Sequence, residues 1–309
     1  MRSALSAGRR RATSPGGDAV PFLSGRERRL AGRYVGPMDA VSKAEGFLAL
    51  HHGDRPLLMP NPWDPGSAKV LASLGFQALA TTSSGSAATL GRLDGSLTRD
   101  EALAHAAAIV GATDLPVSAD LENCFGADAA GVGETVSLAV SIGLAGCSVE
   151  DSTGRADEPI FELAEAAERV VAAAEAAHTG PVHLVLTARA ENYLHGQADL
   201  GDTIARLQAY EAAGADVLYA PGLRDLAEIR TVVESVGLPV NVLALSGAPN
   251  VAALASAGVR RISVGGAFAW VALGALVEAA RELMEQGTYG YFDRVAVGSS
   301  TARAAFAAG

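Results

Sequence analysis

Eight times between residues 57 and 265 a short apolar run gives way to a longer amphipathic or Ala-rich stretch, and this alternation limits the fold more than any other feature. The runs predict strands at Leu57–Pro60, Gln77–Thr82, Pro116–Asp120, Gly146–Glu150, His183–Thr187, Asp216–Tyr219, Pro239–Ala244 and Arg261–Gly265. Helices are expected over Ala40–His51 before the first strand and, between and after the strands, over Asp64–Leu74, Arg99–Val110, Glu134–Ile142, Ile160–Ala177, Asp202–Ala213, Leu223–Val236, Val251–Ala257 and Trp270–Gln286. Gly75, Gly143, Gly214, Gly237 and Gly258 each sit just past a helix, where a left-handed cap favours glycine. Eight βα units predict an α/β chain closed into a parallel (β/α)8 barrel of the TIM type. No Gly-x-Gly-x-x-Gly follows the first strand, which weighs against an open dinucleotide-binding sheet.

Charge divides the chain. Residues 1–37 carry eight Arg against Asp18 and Glu27, and read as a disordered Arg-rich extension, with a transit peptide or a segment upstream of a start at Met38 as alternatives. Residues 38–288 are assigned to the barrel and 289–309 to a C-terminal tail. The body from residue 38 onward has net charge −16, which argues against nucleic acid as a partner. Cys124 and Cys147 make neither a metal-type spacing nor a disulfide framework, as expected in a reducing cytoplasm, and charges or glycines interrupt each apolar run before it reaches membrane-spanning length.

In a barrel of this kind the chemistry belongs at the C-terminal ends of the strands. Strand two ends in the hydroxyl-rich run Ala80–Ser86, able to hold a carboxylate or phosphate, and continues to Asp94. Strand three ends in Asp120 and Glu122, which share a face because an extended chain has a side-chain period of two. Strand four ends in Glu150, and strand five puts Thr187, Arg189 and Glu191 on one face. Asn241 is polar among apolar neighbours in strand seven, and Gly265-Gly266 after strand eight offers either a phosphate cradle or close packing. Asp94, Asp120, Glu122 and Glu150 at one mouth would repel one another without a cation. All-oxygen ligation suits Mg²⁺, with Mn²⁺ as an alternative, bonded directly by Asp120 and partly through water by Glu122 and Glu150. Arg189 then offers a fixed fork to an anionic substrate.

The segments Asp120-Leu-Glu-Asn-Cys-Phe-Gly126, Val149-Glu-Asp151, Thr187-Ala-Arg-Ala-Glu191 and Tyr210-Glu-Ala-Ala-Gly-Ala-Asp216 resemble the isocitrate lyase/phosphoenolpyruvate mutase superfamily over roughly residues 40–288. The resemblance implies a TIM-type barrel that makes or breaks C–C or P–C bonds of keto and hydroxy acids with Mg²⁺. It implies Asp120 as metal ligand, Glu122 and Glu150 as holders of the metal's waters, and Asp94 as a nearby acid/base or metal partner. By the same resemblance Thr82, Ser83 and Ser84 form the substrate-carboxylate loop, Arg189 binds substrate and Asn241 lines the pocket. Two departures stand out. Glu122 and Cys124 replace the usual Asp and Gly of the metal loop, and strand four leads into Glu150-Asp-Ser-Thr-Gly-Arg-Ala-Asp-Glu-Pro159 rather than the Lys-Lys/Arg-Cys-Gly-His motif of the lyase branch. Cys124 lies on another loop and reads as a bystander thiol. His195 is a further candidate proton donor, or a surface histidine.

The expectation is therefore a Mg²⁺-dependent lyase that cleaves a C–C bond of a small keto or hydroxy acid by decarboxylation or retro-aldol-like chemistry. Phosphonopyruvate-type P–C chemistry is the rival on the same scaffold. A barrel that only binds a carboxylate or phosphate, and a phosphosugar barrel using Gly265-Gly266, are rivals of other kinds. The resemblance also implies a homo-oligomer, dimer or tetramer, that exchanges its last helix, here Trp270–Gln286.

Overall fold

The structure, a computed structural model, describes residues 39–307; the Arg-rich extension expected over 1–37 lies outside the described residues. Eight strands form one parallel sheet: β1 Leu57–Met59, β2 Leu79–Ala80, β3 Val117–Asp120, β4 Gly146–Glu150, β5 Val185–Arg189, β6 Val217–Tyr219, β7 Val240–Leu243 and β8 Arg261–Ser263. The order is β1-β8-β7-β6-β5-β4-β3-β2, every pair parallel. Ala80 N donates to Pro60 O at 3.1 Å across the remaining seam, so the barrel is nearly closed. The (β/α)8 architecture is the one the alternation predicts. Most strand ends move by one or two residues from the predicted positions, and β5 runs on to Arg189, which fixes that residue in the sheet.

Helix α1 (Ala40–Leu50) precedes the barrel and closes its N-terminal end. Its Phe47 is buried with Leu57, Met59, Ala80, Val185 and Val217 in a cluster of its own. A Cβ on Gly146 would stand 2.7 Å from the Phe47 ring and 2.8 Å from Val185 O, so the plug requires glycine there. The helices between strands bury Leu, Ile, Val and Ala against the outside of the barrel; each large apolar side chain buried is worth about 1.5–3 kcal/mol. Their starts are set by polar caps: Asp64 and Ser67 form a capping box on α2 (Pro65–Ser73), and Thr98 and Glu101 form one on α4 (Arg99–Val110).

Two helices depart from expectation. The hydroxyl-rich stretch after β2 is not an open loop; Ser83–Thr89 forms α3, with Thr82 as its N-cap. The stretch assigned to a C-terminal tail contains a helix, Phe292–Ala307, whose Ala305 is buried and whose Phe306 lies beside Gly66 of α2. Between them, the helix after β8 (Ala267–Arg281) is poorly covered: Trp270, Val271, Leu276 and Val277 are all exposed. Leu58, on the outer face of β1, is 41 % exposed. Among the described residues no helix is long and apolar enough to cross a membrane.

Candidate active site

The chain leaves β3 through a tight loop in which Glu122, Cys124 and Phe125 have φ of 51°, 61° and 56°. Left-handed backbone at non-glycine residues costs on the order of 1–3 kcal/mol each and persists where surroundings enforce it. Here Glu122 O accepts from Glu150 N at 3.0 Å, Asn123 Oδ1 from Phe125 N at 3.0 Å, and Cys124 O from Thr135 Oγ1 at 2.7 Å. These bonds lock the loop against β4 and the following helix.

Arg189 is the hub of the site. Its Nη1 donates to Asp120 Oδ1 at 2.8 Å, Nη2 lies 3.1 Å from Glu150 Oε2, and Nε donates to Glu191 Oε1 at 2.7 Å, with the Tyr219 ring 5.1 Å away. Asp120 Oδ2 also accepts from Ser83 N at 3.0 Å, tying the start of α3 to the end of β3. One guanidinium thus faces three carboxylates, and Glu122 and Asp94 add to the negative field.

The titration behaviour follows from this crowding. Burial, then the charges of Asp120 and Asp94, push the Glu122 carboxyl up to about 7. Burial raises Glu150 strongly, against the pull of Arg189. Asp94, on an exposed loop, is raised by desolvation on its inner side; the Ser83 hydroxyl opposes the shift and Asp120 adds to it. Burial opposes the Arg189 charge, but Glu191, Glu150 and Asp120 outweigh it and raise its pKa. Glu122 Oε1 is buried without a hydrogen-bond partner. A buried carboxylate oxygen with no protein donor, beside other acids, would be satisfied by a cation, and the all-oxygen donor set fits a hard divalent ion.

Thr82, Ser83, Ser84, Asp94, Asp120 and Arg189 line one cavity of about 190 Å³ at the C-terminal mouth of the barrel. Glu122 and Glu150 stand beside it, in contact with the same charges. Asn241 is placed differently: it is buried beneath, accepting from Arg261 Nε at 3.0 Å and donating to Ser263 Oγ at 3.0 Å. His195 is exposed on the loop after β5, and Leu194 lines the cavity in its stead. Cys124 is fully buried and burial holds its thiol well above the ordinary range, an inert environment. Asn61 Oδ1 accepts from both Val264 N and Gly265 N, so the Gly265 amide is not open to a phosphate. Gly266 is a packing glycine, since a Cβ there would collide with Ser84 Oγ and stand 2.8 Å from Trp270 Nε1.

Some residues of the site carried weaker sequence signals. Glu191 shares a face with Arg189 by parity, yet only the geometry shows the two paired. Behind them, Asp151 accepts from Glu191 N, Tyr210 Oη and Arg206 Nη1 at 2.8, 2.6 and 3.1 Å, a buried network that fixes the end of β5. In place of the lyase-branch cysteine segment stands a small flap, with Ser152 bridged to Ile160 and residues 154–158 exposed.

Comparison with known proteins identifies the family of the chain. The family model for phosphoenolpyruvate phosphomutase matches residues 47–284. An uncharacterised protein of Mycobacterium tuberculosis (strain ATCC 25618 / H37Rv) is 32 % identical over 241 residues, covering 77 % of this chain and 89 % of that protein. The oxaloacetate decarboxylase of Ectopseudomonas mendocina (strain ymp) is 30 % identical over 246 residues, covering 76 % and 82 %. A lyase/mutase candidate from Burkholderia cenocepacia J2315 has a crystal structure that superposes with a TM-score of 0.80 at 51 % identity, covering 82 % of this chain and 92 % of that one. The chain is an enzyme that belongs to the phosphoenolpyruvate mutase family of the isocitrate lyase superfamily.

Proposed function

We propose that this enzyme is a divalent-metal-dependent lyase, with Mg²⁺ as its metal and Mn²⁺ as a substitute, that cleaves a C–C bond of a small keto or hydroxy acid. The observation that carries the reading is the unmet, buried Glu122 Oε1 among Asp120, Glu150 and Asp94 at the mouth of a cavity the size of a small acid. Asp120, Glu122 and Glu150 would hold the ion. A bound Mg²⁺ supplies Lewis acidity, drawing charge from the substrate carbonyl or hydroxyl oxygen as the bond breaks. Thr82, Ser83 and Ser84 present hydroxyls to a substrate carboxylate. Asp94, whose carboxyl desolvation raises above its ordinary value, lines the cavity and is the acid/base candidate for returning a proton to the carbon left by cleavage. Arg189 fixes the orientation of Asp120 and offsets the repulsion among the acids, while Leu194 lines the cavity with an apolar side chain.

Decarboxylation or retro-aldol-like cleavage is preferred because an oxaloacetate decarboxylase is among the relatives of similar length; replacement of the lyase-branch cysteine segment by the flap weighs against the isocitrate-lyase form of that cleavage and so favours decarboxylation. P–C chemistry on a phosphonopyruvate-type acid is the rival, favoured by the family model itself. A panel of keto acids, hydroxy acids and phosphonates with Mg²⁺, read for pyruvate, CO₂ and phosphate together, separates them. Release of phosphate without C–C cleavage would replace the first reading by the second, and full turnover by Asp120→Ala in EDTA would remove both.

The same reading takes the protein to be a homo-oligomer. The exposed apolar side of Ala267–Arg281 and the uncovered Leu58 on β1 are the two halves of a contact in which that helix packs on a second copy.

A further inference from the structure

At the end of the barrel opposite the cavity, the chain brings two imidazoles and a carboxylate together. His178 ends the helix Leu163–His178, His183 stands just before β5, and Asp216 stands just before β6. Gly180, at φ 108°, turns the chain back between the two histidines, and their rings stack 4.0 Å apart and 6° from parallel. His178 Nε2 lies 3.0 Å from Asp216 Oδ2, and His183 Nε2 lies 2.8 Å from Asp216 Oδ1. One ligating atom from each residue lies within 4.8 Å of the other two. Arg189, at the head of the proposed active site, occupies the far end of β5. The cluster has no part in the chemistry proposed above.

The carboxylate is held independently of the histidines. Leu186 N donates to Asp216 Oδ2 at 2.8 Å, and Asp216 N donates to Leu186 O at 2.9 Å. Among the described residues Asp216 Oδ1 accepts from His183 alone, so it can turn to an ion while Oδ2 stays on the amide that orients it. The Asp216 side chain is 13 % exposed, against 27 % for His178 and 42 % for His183. The buried ligand is therefore fixed, and the two imidazoles are reachable from solvent and able to adjust. Ligand atoms about 2.1 Å from a tetrahedral ion lie about 3.4 Å from one another, near the spacing found here. Bringing both in-plane lone pairs onto one ion asks His183, the more exposed ring, to tilt out of the stack. An ion takes the place of the protons that the Nε2 atoms share with the carboxylate, and each ring keeps a proton on Nδ1. Two imidazoles and one carboxylate suit Zn²⁺ and its first-row neighbours, whereas Mg²⁺ favours oxygen ligands alone.

We propose that His178, His183 and Asp216 form a second metal site, separate from the mouth, that takes Zn²⁺ or a similar first-row transition ion with water as the fourth ligand. The ion fastens the end of one helix to the starts of two adjacent strands. Its role is structural, since the N-terminal face of a barrel of this type serves stability and the chemistry lies at the other face. Binding to the folded chain alone makes the ion's binding free energy a contribution to folding. The site stands whether or not the mouth binds Mg²⁺.

The test is calorimetric titration of Zn²⁺ into the full-length protein, free of any histidine tag, stripped of metal and held in excess Mg²⁺ so that a site for a hard ion is filled. Wild type is expected to bind one Zn²⁺ per chain and to melt at a higher temperature with it. His178→Gln and His183→Gln should each weaken binding at least about 30-fold and abolish the rise in melting temperature, while Asp120→Asn should leave the affinity within about threefold. Co²⁺ in place of Zn²⁺ should give wild type the intense visible absorption of a four-coordinate ion, and His183→Gln should lack it. A wild type that binds no Zn²⁺ in excess Mg²⁺, or folded histidine variants that bind it as wild type does, overturns the site. Binding lost in Asp120→Asn but kept in both histidine variants would put the ion at the mouth and overturn it equally. Should a histidine variant fail to fold, the wild-type spectrum decides, because the weak absorption of six-coordinate Co²⁺ would also overturn the site.

Discussion

Arg189 Nη1 stands 2.8 Å from Asp120 Oδ1, so the carboxylate proposed as the metal ligand is already oriented by a cation from β5. Asp120→Asn keeps the shape and removes the charge. Mg²⁺ affinity measured by calorimetry should fall more than about 100-fold, and Glu122→Gln, which weakens a water-mediated contact, should cost about 10–100-fold. Equal Mg²⁺ affinity in Asp120→Asn would place the ion elsewhere.

Cys124 sits in the metal loop but its thiol is sealed, and its Sγ contacts Ser148 O at 3.9 Å. Cys124→Ala should retain turnover within about threefold and lose about 1 kcal/mol of stability from the small cavity. A loss of turnover beyond about 100-fold with an unchanged fold would make the thiol a participant.

Asp216, just before β6, is gripped by His178 Nε2 at 3.0 Å, His183 Nε2 at 2.8 Å and Leu186 N at 2.8 Å, the two imidazoles stacked 4.0 Å apart. Burial alone would raise its pKa, but hydrogen bonds from His178, the Leu186 amide and His183 prevail and hold it below 3.8. A carboxyl depressed in the folded state stabilises the fold above its unfolded pKa, and that contribution disappears as the pH falls through the lower folded value. Asp216→Asn should therefore lose about 1–3 kcal/mol in urea melts at pH 7, with the gap to wild type closing toward pH 3. A gap that stays constant with pH would show the loss to be one of packing.

The uncovered helix makes its own prediction. Light scattering should give a dimer or tetramer, and the double variant Val271→Asp/Leu276→Asp should shift the protein to monomer, since each exposed apolar side chain would acquire a charge at the contact. A monomeric wild type would dispose of the exchange.

Much of the fold could be read from the chain because each barrel strand is a short apolar run bounded by glycine or a cap, and Arg99–Val110 agrees to the residue. The Ser83–Thr89 helix could not, because Ser, Gly and Thr carry little helical preference and the turn is held by its Thr82 cap and by Asp120. Asp120, Glu150 and Arg189 were legible as strand ends; Glu122 was not placed by parity, because the chain leaves β3 after Asp120 and turns left-handed at Glu122 with φ of 51°, where the two-residue period no longer holds. Arg261 was not legible either: its two-residue spacing from Ser263 put a charge on the inner face of an apolar strand, but local pattern does not say whether a strand's arginine has a partner. That depended on Asn241, Thr187 and His51, which lie 20, 74 and 210 residues away.

The neutral setting of Arg261 bears on how this enzyme is handled at the bench. Phosphate and sulfate are small dianions that a buried guanidinium without a carboxylate partner attracts, and Arg261 lines a cavity of about 190 Å³ open at the barrel mouth. Apparent KM values should therefore follow the identity of the buffer ion rather than ionic strength, rising in phosphate or sulfate at a fixed salt concentration.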